Sequence, residues 1–591
     1  MEKTLTHMRP TRRQFLRNSA LGLGVALAAR NSRVAPALAS APKGAAAAVP
    51  VAPRATATGD ARIEVLFDEP LGTISPNIYG HFTENLGGVI YDGIWVGEDS
   101  KVPNVHGIRK SLVDALKKIK APVIRWPGGC FADSYDWKDG IGPRASRPRR
   151  TNFWFADPLV KDKTNIPQRF DPNQFGTNEF VEFCRLSGAE PYIAANVRSL
   201  SSGDFDHWVE YCNSPAGSTS LADQRAAGGF RDPFNVQYWG MGNESWGCGG
   251  TFTPEEYATE FRRYTTWVPD YAERDSQDST PSQSALKFVA SGPDSADWNW
   301  TRGFLQGLRS KGLGALRKVW GLSLHYYSWN LSRGRTDNWV EGKGKALDFV
   351  PVDWYELMRQ GDRLESLIEG HWQVMGEFDP QRRIKLVVDE WGPWYQPGSQ
   401  AVDTDILGQT ITLRDAVMSA ATLDIFNRHP DKVCMAACAQ MINCLNSLFI
   451  GHGDRLVLTP VYHVFDMYAA HQGGQSLRTE FAVPEIGYVR DAKPASFWGL
   501  NGAASLREKV LTLTVVNPDV TNPRAATIDL VGAAAQSATA TVLSNSDIHA
   551  HNTFDSPDAV RPQSASAQLS GSSFRYTFPP ASVTALEIIL A

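Results

Sequence analysis

From about residue 78, short and almost purely apolar runs alternate with segments whose apolar residues recur every third or fourth position. Eight runs are strand-like: 78–82, 122–126, 191–197, 236–241, 288–292, 321–327, 385–391 and 434–442. Their near-continuous apolar character predicts parallel strands buried on both faces. Amphipathic segments separate them. In 108–119, Leu112, Leu116 and Ile119 share a face and lysines take the others. Thr253-Pro254-Glu255-Glu256 spells a capping box with Pro at the first helical position, and Thr459-Pro460 opens a last helix. Eight such units predict a (β/α)8 TIM barrel over 76–472, with long loops after the first, second and sixth strands. After about residue 475 the pattern changes to short strands such as 510–516, 538–543 and 574–578, separated by Gly, Asn, Pro and Ser. This predicts a C-terminal all-β sandwich, jelly-roll-like, over 473–591, joined by an N-terminal strand within 61–75.

Two of the predicted strands end in a carboxylate. The fourth runs into Gly242-Asn243-Glu244 and the seventh into Asp389-Glu390-Trp391. In a barrel the C-terminal strand ends converge on one face, and the fourth and seventh face each other across it. A single Glu at a strand end is more often an ion-pair partner or a helix cap. Two at these positions suit glycoside cleavage, where one carboxyl protonates the leaving oxygen and the other attacks the anomeric carbon. A separation of roughly 5–5.5 Å predicts retention of configuration and a wider gap inversion.

Composition changes this picture little. The chain has 591 residues, 42% hydrophobic and 21% charged, with a net charge of −4 and no long basic run in its body, so no nucleic-acid footprint is expected. Eighteen Trp residues are many, and suit both sugar stacking and large cores. The seven cysteines are odd in number and contain no CxxC pair; small buried hydrophobes are the expected role for most, and no metal site or organic cofactor is implied. At the N-terminus, Thr11-Arg12-Arg13-Gln14-Phe15-Leu16, an apolar run and Ala37-Leu38-Ala39 predict a twin-arginine export signal over 1–39, followed by an Ala/Pro-rich linker over 40–60. The expected location is periplasmic or secreted, with no membrane association after cleavage.

The strand-end segments resemble family 51 of the glycoside hydrolases, chiefly α-L-arabinofuranosidases. The resemblance rests on six motifs in order: 77–87, 125–133 with 137–143, Gly242-Asn243-Glu244, 323–327, 389–395 and 439–443. It implies a retaining hydrolase that releases terminal α-L-arabinofuranosyl units from arabinose-containing oligo- or polysaccharides. Glu244 is then the acid/base and Glu390 the nucleophile. Asn243 would bind the 2-hydroxyl, and Glu84 and Gln440 the distal hydroxyls. Cys130 would be a close, uncharged neighbour of the sugar, Tyr327 a partner of the nucleophile or ring oxygen, and Trp394 a stacking platform for the leaving group. Arg125 is read as a support for Glu390 or a structural ion pair, and His325 equally as a satisfied core histidine or a site residue. Trp246 and Trp329 are read as core or rim. Other glycosides cut by the same mechanism (a β-glucan backbone, a xyloside, another furanoside) stay open, as does a non-catalytic carbohydrate-binding role. Relatives of this kind are often hexamers, so a homo-oligomer is possible.

Overall fold

The computed structural model describes residues 61–156, 170–271, 286–567 and 570–591. The expected export signal and linker lie outside the described residues. Eight parallel strands close into a barrel in chain order: β2 (Gly80–Phe82), β3 (Val123–Trp126), β4 (Glu190–Ala195), β5 (Tyr238–Met241), β6 (Lys287–Ala290), β7 (Val319–Ser328), β8 (Lys385–Pro393) and β9 (Val433–Cys438), with β9 pairing back to β2. All eight coincide with predicted apolar runs. The strands are buried along nearly their whole length, because side chains on one face fill the barrel and those on the other meet the helices.

Helices cover the barrel as the patterning requires. Pro254–Thr265 starts at Thr253, whose hydroxyl accepts from the Glu256 amide at 3.3 Å while the Glu256 carboxylate accepts from the Thr253 amide at 2.8 Å. Arg262 and Arg263 in its last turn suit the negative end of the helix dipole. Fully buried indoles fix the elements together: Trp126 of β3 stacks on Phe180 of the helix Thr177–Ser187 at 5.0 Å, and Trp137 of the loop after β3 on Trp208 of the helix Ser202–Asn213 at 6.0 Å. Each such side chain contributes roughly 1.5–3 kcal/mol through burial. Among the described residues no helix is long and apolar enough to cross a membrane.

The C-terminal part is built on a nine-stranded sheet, with a separate hairpin of Ile486–Arg490 and Lys493–Phe497. Strand β1 (Ala61–Thr73) joins β10 (Gln475–Ala482), β11 (Asn501–Arg507), β12 (Val510–Asn517), β13 (Arg524–Val531), β14 (Ala535–Ser544), β15 (Gln563–Ala565), β16 (Ser573–Phe578) and β17 (Ser582–Leu590). Their order across the sheet is β15-β14-β17-β12-β11-β10-β1-β13-β16. The sheet curls around a single core in which Ile63, Leu477, Leu513, Ile528, Phe578 and Leu586 meet. Strand β1 is antiparallel to β10 and parallel to β13, so the residues just before the barrel are stitched into the domain that follows it. Buried polar contacts lock this domain to the helix Leu413–Arg428. Thr514 and Tyr468 donate to Asp424 at 2.6 and 2.9 Å, and burial pushes the Asp424 carboxyl up to about 7.

Candidate active site

The turn after β5 places Glu244. Gly242 has φ +80° and Glu244 itself φ +41°, so the chain folds back over the barrel mouth. Any side chain at Gly242 would be strained there and would press on Ser245 Oγ at 3.2 Å. Asp133, from the loop after β3, accepts the amides of Asn243, Val197 and Arg198 at 2.9, 2.8 and 3.1 Å. One buried carboxyl thus ties together the turns after β4 and β5. Burial raises it to about 6, and the amides that bind its charged form limit the rise.

Glu390 lies near the end of β8, where the register slips against both neighbouring strands, between Ser323 and His325 on one side and Val388 and Trp391 on the other. Such irregularities re-aim side chains, and here Asp389 and Glu390 both reach His325. Arg125, buried on β3, donates to Glu390 Oε1 at 2.9 Å and to Asn243 Oδ1 at 2.5 Å, and its Nε lies 3.7 Å from Asp389 Oδ2. Tyr327 donates to Glu390 Oε2 at 2.8 Å. Tyr192 and Ser323 donate to Asp389 at 2.8 and 2.5 Å.

His325 joins the two halves. Its Nδ1 is 3.0 Å from Glu244 Oε1 and 3.5 Å from Glu390 Oε2, and its Nε2 is 3.3 Å from Asp389 Oδ1. Burial alone would lower its basicity, but Glu390, Asp389 and Glu244 outweigh burial and raise it to about 10. Burial likewise opposes ionisation of Asp389, yet Arg125 and His325 hold its carboxyl well below the usual carboxylate range. Glu244, His325 and Glu390 offer ligand atoms within 4.8 Å of one another.

The opposite wall holds the distal groups. Glu84 accepts from the Phe131 amide at 2.8 Å, from Trp154 Nε1 at 3.1 Å and from Gln440 Nε2 at 2.9 Å. Burial raises its carboxyl to about 7. A Cβ on Gly128, at φ +147°, would stand 2.5 Å from Glu84 Cγ, so only glycine lets the strand-two loop close on this side chain. Gln440 Oε1 is buried without a hydrogen-bond partner among the described residues. Cys130 is bonded to Cys248, whose sulfur lies 3.5 Å from Glu244 Oε2. Trp394 packs edge-on against Tyr327 at 5.0 Å.

The structure therefore brings Glu84, Arg125, Cys130, Asn243, Glu244, His325, Tyr327, Glu390, Trp394 and Gln440 around one barrel mouth. Sequence reasoning missed Asp133, Trp154, Cys248, Trp339 and Lys343, and left Asp389 without a role. It also missed Asp294 beyond β6, which burial and then Glu244 raise to about 6. Asp133 and Asp389 stood inside quoted motifs and were the ones within reach. Trp329, read as core or rim, is partly exposed.

Comparison with known proteins shows the family. Models of the α-L-arabinofuranosidase 1 domain and of the α-L-arabinofuranosidase C-terminal domain match residues 115–297 and 389–582. An intracellular exo-α-L-arabinofuranosidase of Bacteroides ovatus is 33% identical over 90% of this chain and 96% of its own. The crystal structure of the family 51 arabinofuranosidase from Xanthomonas axonopodis pv. citri is 33% identical, with a TM-score of 0.79 over 90% of this chain and all of that one. The arabinose complex of the Thermotoga maritima α-L-arabinofuranosidase is 31% identical, with a TM-score of 0.74 over the same shares. One expectation is corrected. Twin-arginine export, and with it a periplasmic or secreted location, is overturned by the names of the Bacteroides ovatus and Acetivibrio thermocellus relatives, both called intracellular. With full-length relatives on both counts and paired carboxylates across a (β/α)8 barrel, the chain belongs to family 51 of the glycoside hydrolases and is an α-L-arabinofuranosidase, a retaining enzyme that releases arabinofuranosyl residues.

Proposed function

We propose that Glu390 is the nucleophile and Glu244 the acid/base of a double displacement on terminal α-L-arabinofuranosides. In the first step a Glu390 oxygen bonds to the anomeric carbon, the glycosidic C–O bond breaks, and the Glu244 proton goes to the leaving oxygen. In the second, water attacks the same carbon, Glu244 takes its proton, and the Glu390 ester bond breaks to free arabinose. The observation that carries this reading is the opposition of Glu244 and Glu390 within 4.8 Å of each other and of His325.

Charge supports the assignment. Two ion pairs, Arg125 with Glu390 and His325 with Asp389, set two basic groups against two acidic ones in the buried site. Arg125 and Tyr327 hold both oxygens of Glu390 in a fixed plane, so attack needs little reorganisation. Asn243, itself pinned by Arg125, is placed to bind the 2-hydroxyl, and Glu84 with Gln440 the distal hydroxyls. Trp394 serves as the platform for the first leaving unit. The Cys130–Cys248 bridge borders the mouth beside Glu244.

The test uses an aryl α-L-arabinofuranoside with a good leaving group. Glu390→Ala abolishes turnover. Glu244→Ala slows it by roughly 10²–10⁴-fold, and added azide restores part of the rate by replacing water in the second step. Near-normal turnover by Glu390→Ala overturns the assignment.

A further inference from the structure

The largest indoles of this protein fall into two groups. Trp126, Trp137, Trp208, Trp239, Trp354 and Trp391 are fully buried. Trp329, Trp339 and Trp394 are only partly covered, and they sit in a row at the barrel mouth. The row begins at the nucleophile. Tyr327 donates to Glu390, Trp394 packs against Tyr327, Trp339 lies 4.5 Å from Trp394, and Trp329 lies 5.0 Å from Trp339.

The loop between β7 and the helix Pro351–Phe378 is shaped to build this row. Asn330 and Lys343 pair across it, and the Leu331 amide donates to Gly342 O at 2.9 Å. A Cβ on Gly342 would meet the Trp329 ring at 2.5 Å, so the loop closes onto that indole only through glycine. Lys343 is buried, with its ammonium 3.9 Å from the centre of the Trp339 ring and 4.1 Å from that of Trp394. A lysine drawn out of water between two indoles holds both rings in place through cation–π attraction. Gln396, from the loop after β8, donates through its amide N–H to Gly344 O at 2.9 Å and through its side chain to Lys343 O at 2.8 Å, tying the two loops together. Lys343 lies over one face of Trp339 and of Trp394, and the rings meet edge-on at 82° and 64°; the indole surface left partly exposed suits the C–H groups of pyranose or furanose rings.

We propose that Trp339, held by Lys343 and extended by Trp329, binds the second and third sugar units of the leaving chain, beyond the unit on Trp394. The enzyme would then favour oligosaccharides with a leaving chain of two or more units over a single sugar or aryl group. This rests on the catalytic reading above, which sets where the leaving chain starts.

The test measures arabinose release from α-1,5-linked arabino-oligosaccharides of two, three and four units. For the unmodified enzyme, kcat/KM rises about three- to tenfold from the two-unit to the three-unit substrate, the gain of one stacked ring. Trp339→Ala removes that rise, mainly through KM, and Trp339→Phe keeps part of it. Lys343→Met weakens the rise in the same direction, and Lys343→Arg restores it. The readout is the ratio between chain lengths within each variant, which a general loss of folded enzyme does not move. A rise that survives Trp339→Ala, or no chain-length dependence in the unmodified enzyme, overturns the proposal. No arabinose release from any substrate by the unmodified enzyme overturns the catalytic reading as well.

Discussion

Arg125→Met removes the buried cation and keeps much of the side chain's volume. Arg125 is 1% exposed, with Glu390 Oε1 at 2.9 Å and Asp389 Oδ2 at 3.7 Å. At an effective dielectric of about 20 these attractions are each roughly 4–6 kcal/mol before the cost of removing the charges from water is subtracted. The substitution strands both carboxylates with His325 as the one nearby cation. Breaking a buried pair in this way costs about 3–5 kcal/mol, most of it the penalty of the unpaired charge. The assay is urea unfolding of the unmodified protein, Arg125→Met, Glu390→Gln, and the double variant. If stranded charge is the cause, Arg125→Met/Glu390→Gln is more stable than Arg125→Met by about 1–3 kcal/mol. A double variant no more stable than the single one refutes the reasoning and leaves lost packing against Phe82 and Tyr192, whose rings lie 4.7 and 5.8 Å from the guanidinium, as the cause.

His325 gives a pH dependence. Its folded-state value is raised from 6.5 to about 10, so its contribution is fully present below about pH 6.5 and is lost as pH rises through about 10. Between pH 6 and pH 10 the unmodified protein should lose a few kcal/mol more stability than His325→Gln in urea unfolding. Glu84 accepts from three donors, and Glu84→Gln turns one of its acceptor oxygens into a donor facing Phe131, Trp154 or Gln440; KM for an aryl arabinofuranoside should rise about ten- to hundredfold, with kcat less affected. Cys248→Ser, or reduction by a dithiol, frees the loop whose Phe131 amide binds Glu84, and the substitution also replaces the sulfur beside Glu244 with oxygen. The folded protein should persist, with stability lower by about 2–4 kcal/mol and kcat/KM reduced, as read by melting and initial rates.

The barrel was legible because parallel strands buried on both faces must be apolar throughout. The runs at 122–126 and 385–391 carried that signature, and the observed strands Val123–Trp126 and Lys385–Pro393 lie on them. The ends of β5 and β8 stood out because two Glu residues close apolar runs on strands that face each other, whereas one alone is more often an ion-pair partner or a helix cap. The sequence could not decide between core and site for His325, because the answer depends on β7 pairing with β8 at Glu390. Cys130 and Cys248 lie 118 residues apart, and only the convergence of two loops makes them partners. Trp339 and Lys343 belong to an irregular loop without periodicity, where spacing carries no information about contacts. The C-terminal β domain and the N-terminal strand that joins it were legible, but not the strand order that sets β1 between β10 and β13.

The most direct measurement is mass spectrometry of Glu244→Ala incubated with an arabinofuranoside that bears a good leaving group. Such a substrate needs little acid assistance to form the glycosyl-enzyme, and loss of the base slows its hydrolysis, so the intermediate accumulates. The account predicts one pentosyl unit esterified to Glu390. A label on Glu84 or Asp389, or turnover that passes through no covalent adduct, would contradict it.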